Sequence, residues 1–157
     1  MKTRILSLLI LGMLIGSAAG QQEESDLDKI KGKWVFDQVK KDGMAEDLAK
    51  AKGVEIVVDN GKVTLIAGTK TLGQGTFKLE PGKNPKEIDI HLDHPEKKEG
   101  EKANGIYVLE GDTLKICFAL NVPRAVGDKT PSKPAKRPTE FHGDRGQLLL
   151  VLKRQKP

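Results

Sequence analysis

Short stretches of alternating apolar and polar residues, each closed by turn-forming residues, follow one another along most of this chain. Over 87–92, for example, Ile88, Ile90 and Leu92 occupy one face of an extended strand, and polar residues occupy the other. Strands at such short intervals are typical of antiparallel sheets and not of alternating helices and strands. We count eight of these segments, over 33–40, 54–58, 62–67, 71–79, 87–92, 105–110, 113–120 and 147–153.

Most connections between these segments are short and leave room for one helix. Asn60 and Gly61 accept the positive φ angles of a tight hairpin. Apolar residues at helical spacing predict a short helix over 44–52 that ends at Gly53. Closing eight strands into a ring leaves no exposed sheet edge. We therefore predict an all-β fold, an eight-stranded antiparallel up-and-down barrel with one short helix between its first two strands.

The core predicted for this barrel is small, because the chain has only one Trp, one Tyr and four Phe. Trp34, Phe36 and Phe118 are expected to point inward as barrel core. Strict alternation along the first strand also places Gln38 on this inner face and Val39 on the outer face. The other bulky inward residues are Ile88, Ile90, Leu92, Leu114 and Ile116.

The last segment, 147–153, contains an apolar run that occupies both of its faces. We expect the short helix or a loop to cover its second face. Cys117 is the only cysteine, so an intrachain disulfide is excluded. We interpret Cys117 as a small buried hydrophobic residue, with intermolecular pairing as the alternative.

The N-terminus has the pattern of a secretory signal peptide. Two basic residues precede an apolar run over 5–15, and small residues and then polar residues follow. The run is about half of the ~20 residues that a spanning helix needs. We therefore predict a signal peptide over 1–20, no membrane span after its cleavage, and a secreted or periplasmic product. A polar tether over 21–28 then leads to the barrel domain over 29–155.

The charge pattern argues against nucleic acid as a partner. Without Lys2 and Arg4 the formal net charge falls from +5 to +3. Lysine and glutamate alternate along the surface segments instead of forming one basic face with interleaved aromatic residues.

No catalytic motif is present, so we expect no enzymatic activity and no cofactor. Nucleophilic catalysis needs a base within hydrogen-bond reach of a serine or cysteine. Ser25 and Ser132 lie in polar segments and Cys117 lies in a strand, and none belongs to a nucleophile-elbow sequence.

A metal site is the weaker interpretation of the histidines. His91 and His94 point to opposite faces of a strand, so only a turn after His91 brings both rings to one ion. Glu140 and His142 offer further ligands. The alternative, which we adopt, is a loop with two solvent-exposed histidines and no metal.

Several short motifs point to a known family. Ile30, Gly32 and Trp34 open the first strand, and matching stretches follow at 75–78, 105–107, 111–119 and 137–141. Over 27–154 the chain resembles the uncharacterised lipocalin-like domain family that is abundant in Planctomycetes. The resemblance implies a calycin-type barrel whose floor is plugged by Trp34, with no assigned activity. The Pro- and Lys-rich insertion over 121–136 departs from that pattern.

This insertion and the residue that follows it supply the predicted ligand-binding residues. A loop at the mouth of a barrel controls access to it. We therefore assign Lys129, Lys133, Lys136 and Arg137 to a ligand with an anionic head, such as a fatty acid whose tail enters the barrel. The alternative for 137–141 is structural, a cap on the open end of the barrel.

Two functions remain open at this point. An eight-stranded barrel is just wide enough to be filled by side chains or to hold one small ligand. The first function is binding of a small apolar or fatty-acid-like molecule inside the barrel. The alternative is a non-enzymatic interaction or structural module of the cell envelope, with a barrel filled by its own side chains.

Overall fold

The computed structural model describes residues 25–93, 100–120 and 135–156. The predicted signal peptide, Lys129, Lys133, Ser132 and His94 lie outside these residues. Helix α1 spans Asp26–Lys29, and a 3-10 helix spans Leu48–Ala51. The strands are β1 (Gly32–Lys41), β2 (Met44–Ala45), β3 (Val54–Asp59), β4 (Lys62–Ala67), β5 (Lys70–Glu80), β6 (Glu87–Asp93), β7 (Glu101–Glu110), β8 (Thr113–Ala119) and β9 (Gln147–Arg154).

Eight of these strands form a closed antiparallel barrel. From β3 to β9 each strand pairs with the next one in sequence, and β1 pairs with both β3 and β9, which completes the ring. The two residues of β2 extend the sheet at the far end of β1. The predicted eight-stranded up-and-down barrel is therefore confirmed. In the part of the chain described here, no helix has the length and apolar character needed to cross a membrane.

The predicted Asn-Gly hairpin is present between β3 and β4. Asn60 has a φ of 44° and Gly61 a φ of 77°, as a tight turn with two left-handed residues requires. Val58 and Val63 face each other across this hairpin, and both side chains are buried in the core.

The barrel interior contains the predicted core. Trp34 is fully buried, and Phe118 is buried beside it in the same cluster. Phe36 is partly buried and packs against that cluster. The other five predicted inward residues also belong to the cluster or pack against it, namely Ile88, Ile90, Leu92, Leu114 and Ile116.

A β-bulge in β1 corrects one detail of the predicted pattern. The register shifts between Phe36 and Gln38, so Asp37 is an extra residue relative to β9. Beyond the bulge Val39 lies opposite inward-facing Leu150, and exposed Gln38 moves to the outer face. The prediction for Gln38 and Val39 was wrong, because one inserted residue exchanges the two faces of a strand.

The helix predicted over 44–52 was also largely wrong. Asp42 and Gly43 both adopt positive φ, which turns the chain back so that Met44–Ala45 pairs with the end of β1. Only Leu48–Ala51 is helical, as a 3-10 turn that the Asp47 side chain caps. Helix α1 instead lies within the stretch predicted as a polar tether, with Ser25 as its N-cap.

Trp34 and Arg154 close one end of the barrel. The Trp34 Nε1 donates a hydrogen bond of 2.9 Å to the Ile30 carbonyl. The Arg154 guanidinium lies 4.3 Å from the centre of the Trp34 ring and donates hydrogen bonds to the carbonyls of Lys29 and Lys31. This cation–π contact fixes the segment that follows α1 against the end of the barrel.

Asp26 attaches α1 to the same end. Its carboxylate accepts hydrogen bonds from the Lys86 Nζ at 2.6 Å and from the buried Tyr107 hydroxyl at 2.7 Å. Burial alone opposes ionisation of Asp26, but the two hydrogen bonds and the Lys86 charge outweigh it and lower its pKa. Burial, together with the Asp26 carboxylate, raises the pKa of Tyr107. The folded domain therefore includes α1, ahead of its predicted start at Lys29.

Asp26 makes folding dependent on pH in the acidic range. Its folded-state pKa lies below the unfolded value of about 3.9, so its stabilising effect is present above that value and is lost as the pH falls through the folded pKa. We expect Asp26→Asn to be less stable than the unmodified protein at neutral pH, with the difference shrinking below about pH 4. Urea unfolding at a series of pH values measures this; a difference that is constant with pH contradicts it.

The segment 135–146, which we call the strap, crosses the outside of the barrel. Phe141 of the strap packs on a second apolar cluster, formed by Ile106, Cys117, Leu149 and Val151 on the outer faces of β7, β8 and β9. This contact explains why β9 is apolar on both faces, with a loop covering the outer one. It also confirms that Cys117 is buried.

Gly105 shows how closely β7 and β8 approach. A Cβ at this position lies 2.6 Å from the Cys117 carbonyl and 2.7 Å from the Phe118 ring. We expect Gly105→Ala to lower the free energy of unfolding by about 1–2 kcal/mol through overpacking. Gly73→Ala is the matched control, because its Cβ has no atom within 4 Å. Chemical denaturation of both variants measures the effect, and equal stabilities contradict the close approach.

Candidate functional site

The two ends of the barrel differ. At one end Trp34, α1 and three short connections, β3–β4, β5–β6 and β7–β8, close the barrel. The other end, which we call the open end, carries the β1–β3 connection and the β4–β5 hairpin. Lys41 and Ala119 lie at this end, opposite Leu148 and Gln147. Leu120, the last described residue before 121–134, therefore lies at the end opposite Trp34, and the loop predicted at the mouth lies outside the described residues.

The interior is not filled evenly. Several apolar residues pack toward the core from inward-facing positions yet stay partly exposed: Phe36, Leu65, Phe77, Leu79, Ile90, Leu92, Ala103, Leu109, Leu148 and Leu150. Ile56 and Leu152, near Trp34, are buried, whereas Leu79 and Leu109 at the same end are among the partly exposed residues. The lumen therefore offers apolar surface that is not fully covered by the protein itself.

A cleft of about 430 Å³ lies where β1 and β3 separate. The two strands pair only from Gly32 to Val35, so the wall of the barrel is unpaired on this side above Val35. Phe36, which packs on the core, also lines the cleft. The remaining lining residues are Val35, Leu48, Ala49, Ala51, Lys52, Gly53 and Val54. The cleft is therefore largely apolar and adjoins the lumen at Phe36.

Gly73 leaves space on β5, two strands away from β3 around the barrel. It pairs with inward-facing Leu65, and a Cβ at Gly73 has no atom within 4 Å. Gly75, on the same face, is different, because a Cβ there would clash with the His91 carbonyl oxygen. Gly73 thus borders open volume, whereas Gly75 accommodates the backbone of β6.

The rim of the open end is apolar in two places. Met44 is 69% exposed and Leu72 is 50% exposed. Met44 follows the turn at the end of β1, and Leu72 is the extra residue of a bulge near the β4–β5 hairpin. Together with the cleft they place exposed apolar side chains at the entrance to the lumen.

A second cleft, of about 340 Å³, lies on the outer wall of β5, β6 and β7. Its outward-facing lining is polar and consists of Thr76, Lys78, Asp89, His91, Lys102 and Asn104. The His91 Nδ1 is buried and has no hydrogen-bond partner among the residues that the structure describes. His91 lies in β6, so its predicted position in a solvent-exposed loop was wrong. Phe77 and Ile90, which pack against the core, also line this cleft.

Arg137 lies away from the open mouth, on the outer wall of β6 and β7. Its guanidinium donates hydrogen bonds to the Gly105 carbonyl at 2.6 Å, the Ile88 carbonyl at 3.2 Å and the Asp89 carboxylate at 2.6 Å. Its Nε lies 3.5 Å from the Glu87 carboxylate. Arg137 therefore anchors the strap, and we remove it from the tentative ligand-binding set. Of the other three predicted residues, Lys136 is exposed on the strap, and Lys129 and Lys133 lie outside the described residues.

Among the described residues, the candidates for catalysis or metal binding make local structural contacts or are buried. The Ser25 hydroxyl accepts a hydrogen bond from the Asp28 backbone N–H. Burial raises the pKa of the Cys117 thiol, which disfavours the reactive thiolate. The His142 Nδ1 lies 3.2 Å from the Glu140 carboxylate on the exposed strap. Within 25–93, 100–120 and 135–156, no three His, Cys, Asp or Glu side chains are arranged to hold a metal ion.

Comparison with known proteins identifies no relative from which a function could be inferred. No family model, curated protein or solved structure matches this chain. What is established is therefore a closed eight-stranded barrel with one end plugged by Trp34 and an apolar cleft at the opposite half.

Proposed function

We propose that this protein binds a small apolar molecule in the upper lumen of its barrel. The observation that carries the proposal is the gap between β1 and β3, where an apolar cleft of about 430 Å³ reaches Phe36. Ligand sites in proteins are concave and mainly apolar, and barrels bind ligands at their mouths. The open space at Gly73 and the partly exposed inward residues extend this surface across the lumen.

The resemblance to lipocalin-like domains supports the same proposal. Under it the chain is a secreted or periplasmic, non-enzymatic binding protein, and the ligand is its partner. The barrel fold is compatible with such a role. Fold alone does not define function, so the proposal depends on the cleft and the lumen.

The alternative function is an envelope interaction module with a self-filled barrel. The half of the barrel nearest Trp34 favours it, since Ile56, Ile88, Leu114 and Leu152 are buried there. The two functions make opposite predictions about the other half of the lumen. In the alternative, an added side chain at Gly73 has no ligand to displace.

Titration with a neutral fluorescent probe, N-phenylnaphthylamine, tests the proposal. We expect saturable binding, and we expect Gly73→Phe to weaken it at least about tenfold by occupying the lumen, a loss of about 1.4 kcal/mol. Gly82→Phe is the matched control, because Gly82 is exposed at the closed end and has open space around it. Absence of saturable binding up to about millimolar probe, or equal binding by Gly73→Phe, overturns the proposal in favour of the self-filled barrel.

A further inference from the structure

We propose that Asn60 is a site of spontaneous covalent modification, at which the side-chain amide is converted to isoaspartate and aspartate while the barrel stays folded. The chain has four asparagines, and two of them, Asn60 and Asn104, are followed by glycine. Glycine has no side chain to obstruct its own backbone nitrogen, so this nitrogen can attack the preceding side chain. The same reactive dipeptide therefore occurs twice, and the fold places its two copies in different surroundings.

The reaction requires only water as a co-reactant. The Gly61 backbone nitrogen attacks the Asn60 Cγ and loses its proton, a C–N bond forms, and the side-chain amide leaves as ammonia to give a cyclic succinimide. Water then opens the ring at one of its two carbonyls. Breaking the bond to Cγ gives aspartate, whereas breaking the original peptide bond gives isoaspartate, in which the backbone passes through the former side chain. The net change is one water consumed and one ammonia released, with no oxidation or reduction.

The turn between β3 and β4 leaves both reacting groups free. Asn60 is exposed, and within the described part of the chain its side-chain amide has no hydrogen-bond partner and the Gly61 N–H has no acceptor. Strand pairing begins only with Asp59 and Lys62 on either side of the turn. The rotation that brings the Asn60 Cγ to the Gly61 nitrogen therefore takes place at the tip of a hairpin, where local opening costs little free energy.

Asn104 lies inside β7, where the backbone is fixed on both sides. Asn104 pairs with Asp89 of β6, and Gly105 pairs with Ile88 of β6 and with Phe118 of β8. In an extended strand the side chain projects from the sheet, away from the nitrogen of the next residue. Ring closure at Asn104 therefore requires a backbone rotation that separates β7 from both of its neighbours.

Exposure of the side chain does not distinguish the two asparagines, because Asn104 is also exposed. The difference lies in the glycine that follows, since Gly105 is buried and its carbonyl accepts a hydrogen bond of 2.6 Å from Arg137. Asn84 is excluded by its chemistry, because the next residue is proline, which has no N–H to lose. Of the asparagines that the structure describes, Asn60 is thus the one that the folded barrel leaves reactive.

Incubation of the folded protein in mildly alkaline buffer, followed by peptide mapping with mass spectrometry, tests the proposal. Replacement of the amide by a carboxyl group raises the mass of the peptide that contains it, so each asparagine is measured separately. We expect Asn60 to react at least about tenfold faster than Asn104, because opening β7 from two neighbouring strands costs free energy that the hairpin tip does not require. In concentrated urea we expect the two rates to agree within about threefold, because the unfolded chain holds neither Asn-Gly pair in a fixed conformation.

Asn60→Gly is the matched control, because glycine also accepts the positive φ of this turn position and has no amide to lose. This variant should lose the mass increase in the hairpin peptide and keep the rate at Asn104. Methyl transfer by a protein isoaspartate methyltransferase identifies the isoaspartate product, and a mass increase at Asn60 without methyl transfer contradicts the succinimide route. A ratio of the two rates below about tenfold in the folded protein overturns the proposal, as does an unreactive Asn60 while the urea-unfolded chain is converted. The β3–β4 turn lies at the closed end, so these outcomes do not depend on the proposed function.

Discussion

Replacing Trp34 with alanine is expected to lower the free energy of unfolding by about 3–5 kcal/mol, the range for truncating a large buried aromatic side chain. Trp34 is fully buried, donates to the Ile30 carbonyl and supports the Arg154 guanidinium at 4.3 Å. Removal of the ring therefore leaves a cavity and removes the contacts of Trp34 with the Ile30 carbonyl and the Arg154 guanidinium. A domain of this size has a stability of about 5–15 kcal/mol, so the variant is close to unfolding.

Urea denaturation followed by far-UV circular dichroism measures this loss, because Trp34 is the only tryptophan and its fluorescence disappears with the substitution. Trp34→Phe keeps most of the ring but lacks the Nε1 donor, so we expect a smaller loss. Leu72→Ala is the control for a large apolar residue outside the core, since Leu72 is 50% exposed. A loss below about 1 kcal/mol for Trp34→Ala contradicts its place in the core.

The alternation of apolar and polar residues was sufficient to predict the barrel. Each strand has one face in the core, so the period of two identified both the strands and their inward side chains. Ile88 and Ile90 illustrate this, because they are inward in the sequence pattern and pack in the core cluster. The Asn60-Gly61 hairpin was predictable for a local reason, the backbone angles that this pair accepts.

The errors arose where tertiary pairing overrides a local pattern. The bulge at Asp37 depends on how β1 matches β9 more than a hundred residues later, which alternation within β1 does not contain. Similarly, most of 44–52 is not helical despite its helical spacing of apolar residues. The turn at Asp42 and Gly43 lets Met44 and Ala45 form backbone hydrogen bonds with the end of β1 instead.

The candidate site was only partly predictable from the sequence. Alternation in β5 places Gly73 and Gly75 on the face of Phe77, but only the structure shows that Gly73 borders open space and Gly75 a neighbouring backbone. The cleft has no local signal, because it results from β1 leaving β3 after Val35. The sequence predicted the basic residues of the mouth within 121–137, whereas the structure places Lys41 of β1, Lys52 of the β1–β3 connection and Lys70 of β5 at that end.

Arg137 was assigned to ligand binding because it ends a basic, Pro-rich loop, and its contacts lead to a different expectation. We expect Arg137→Ala to lower the free energy of unfolding by about 2–4 kcal/mol, since hydrogen bonds to charged groups contribute about 1.5–3 kcal/mol each and are not fully additive. The substitution removes the donor of the Gly105 and Ile88 carbonyls and leaves the Asp89 and Glu87 carboxylates without their cation.

Arg137→Lys distinguishes the contribution of the positive charge to stability from that of the guanidinium geometry. Lysine keeps the positive charge but lacks the planar fork that reaches two carbonyls and a carboxylate together, so we expect it to recover only part of the lost stability. Lys136→Ala, at the exposed neighbouring position, is the control for the strap itself. Because Arg137 lies on the outer wall, binding of N-phenylnaphthylamine to folded Arg137→Lys should stay within about twofold of the unmodified protein. A large loss of probe affinity without a loss of stability would return Arg137 to the ligand site and contradict its role as the anchor of the strap.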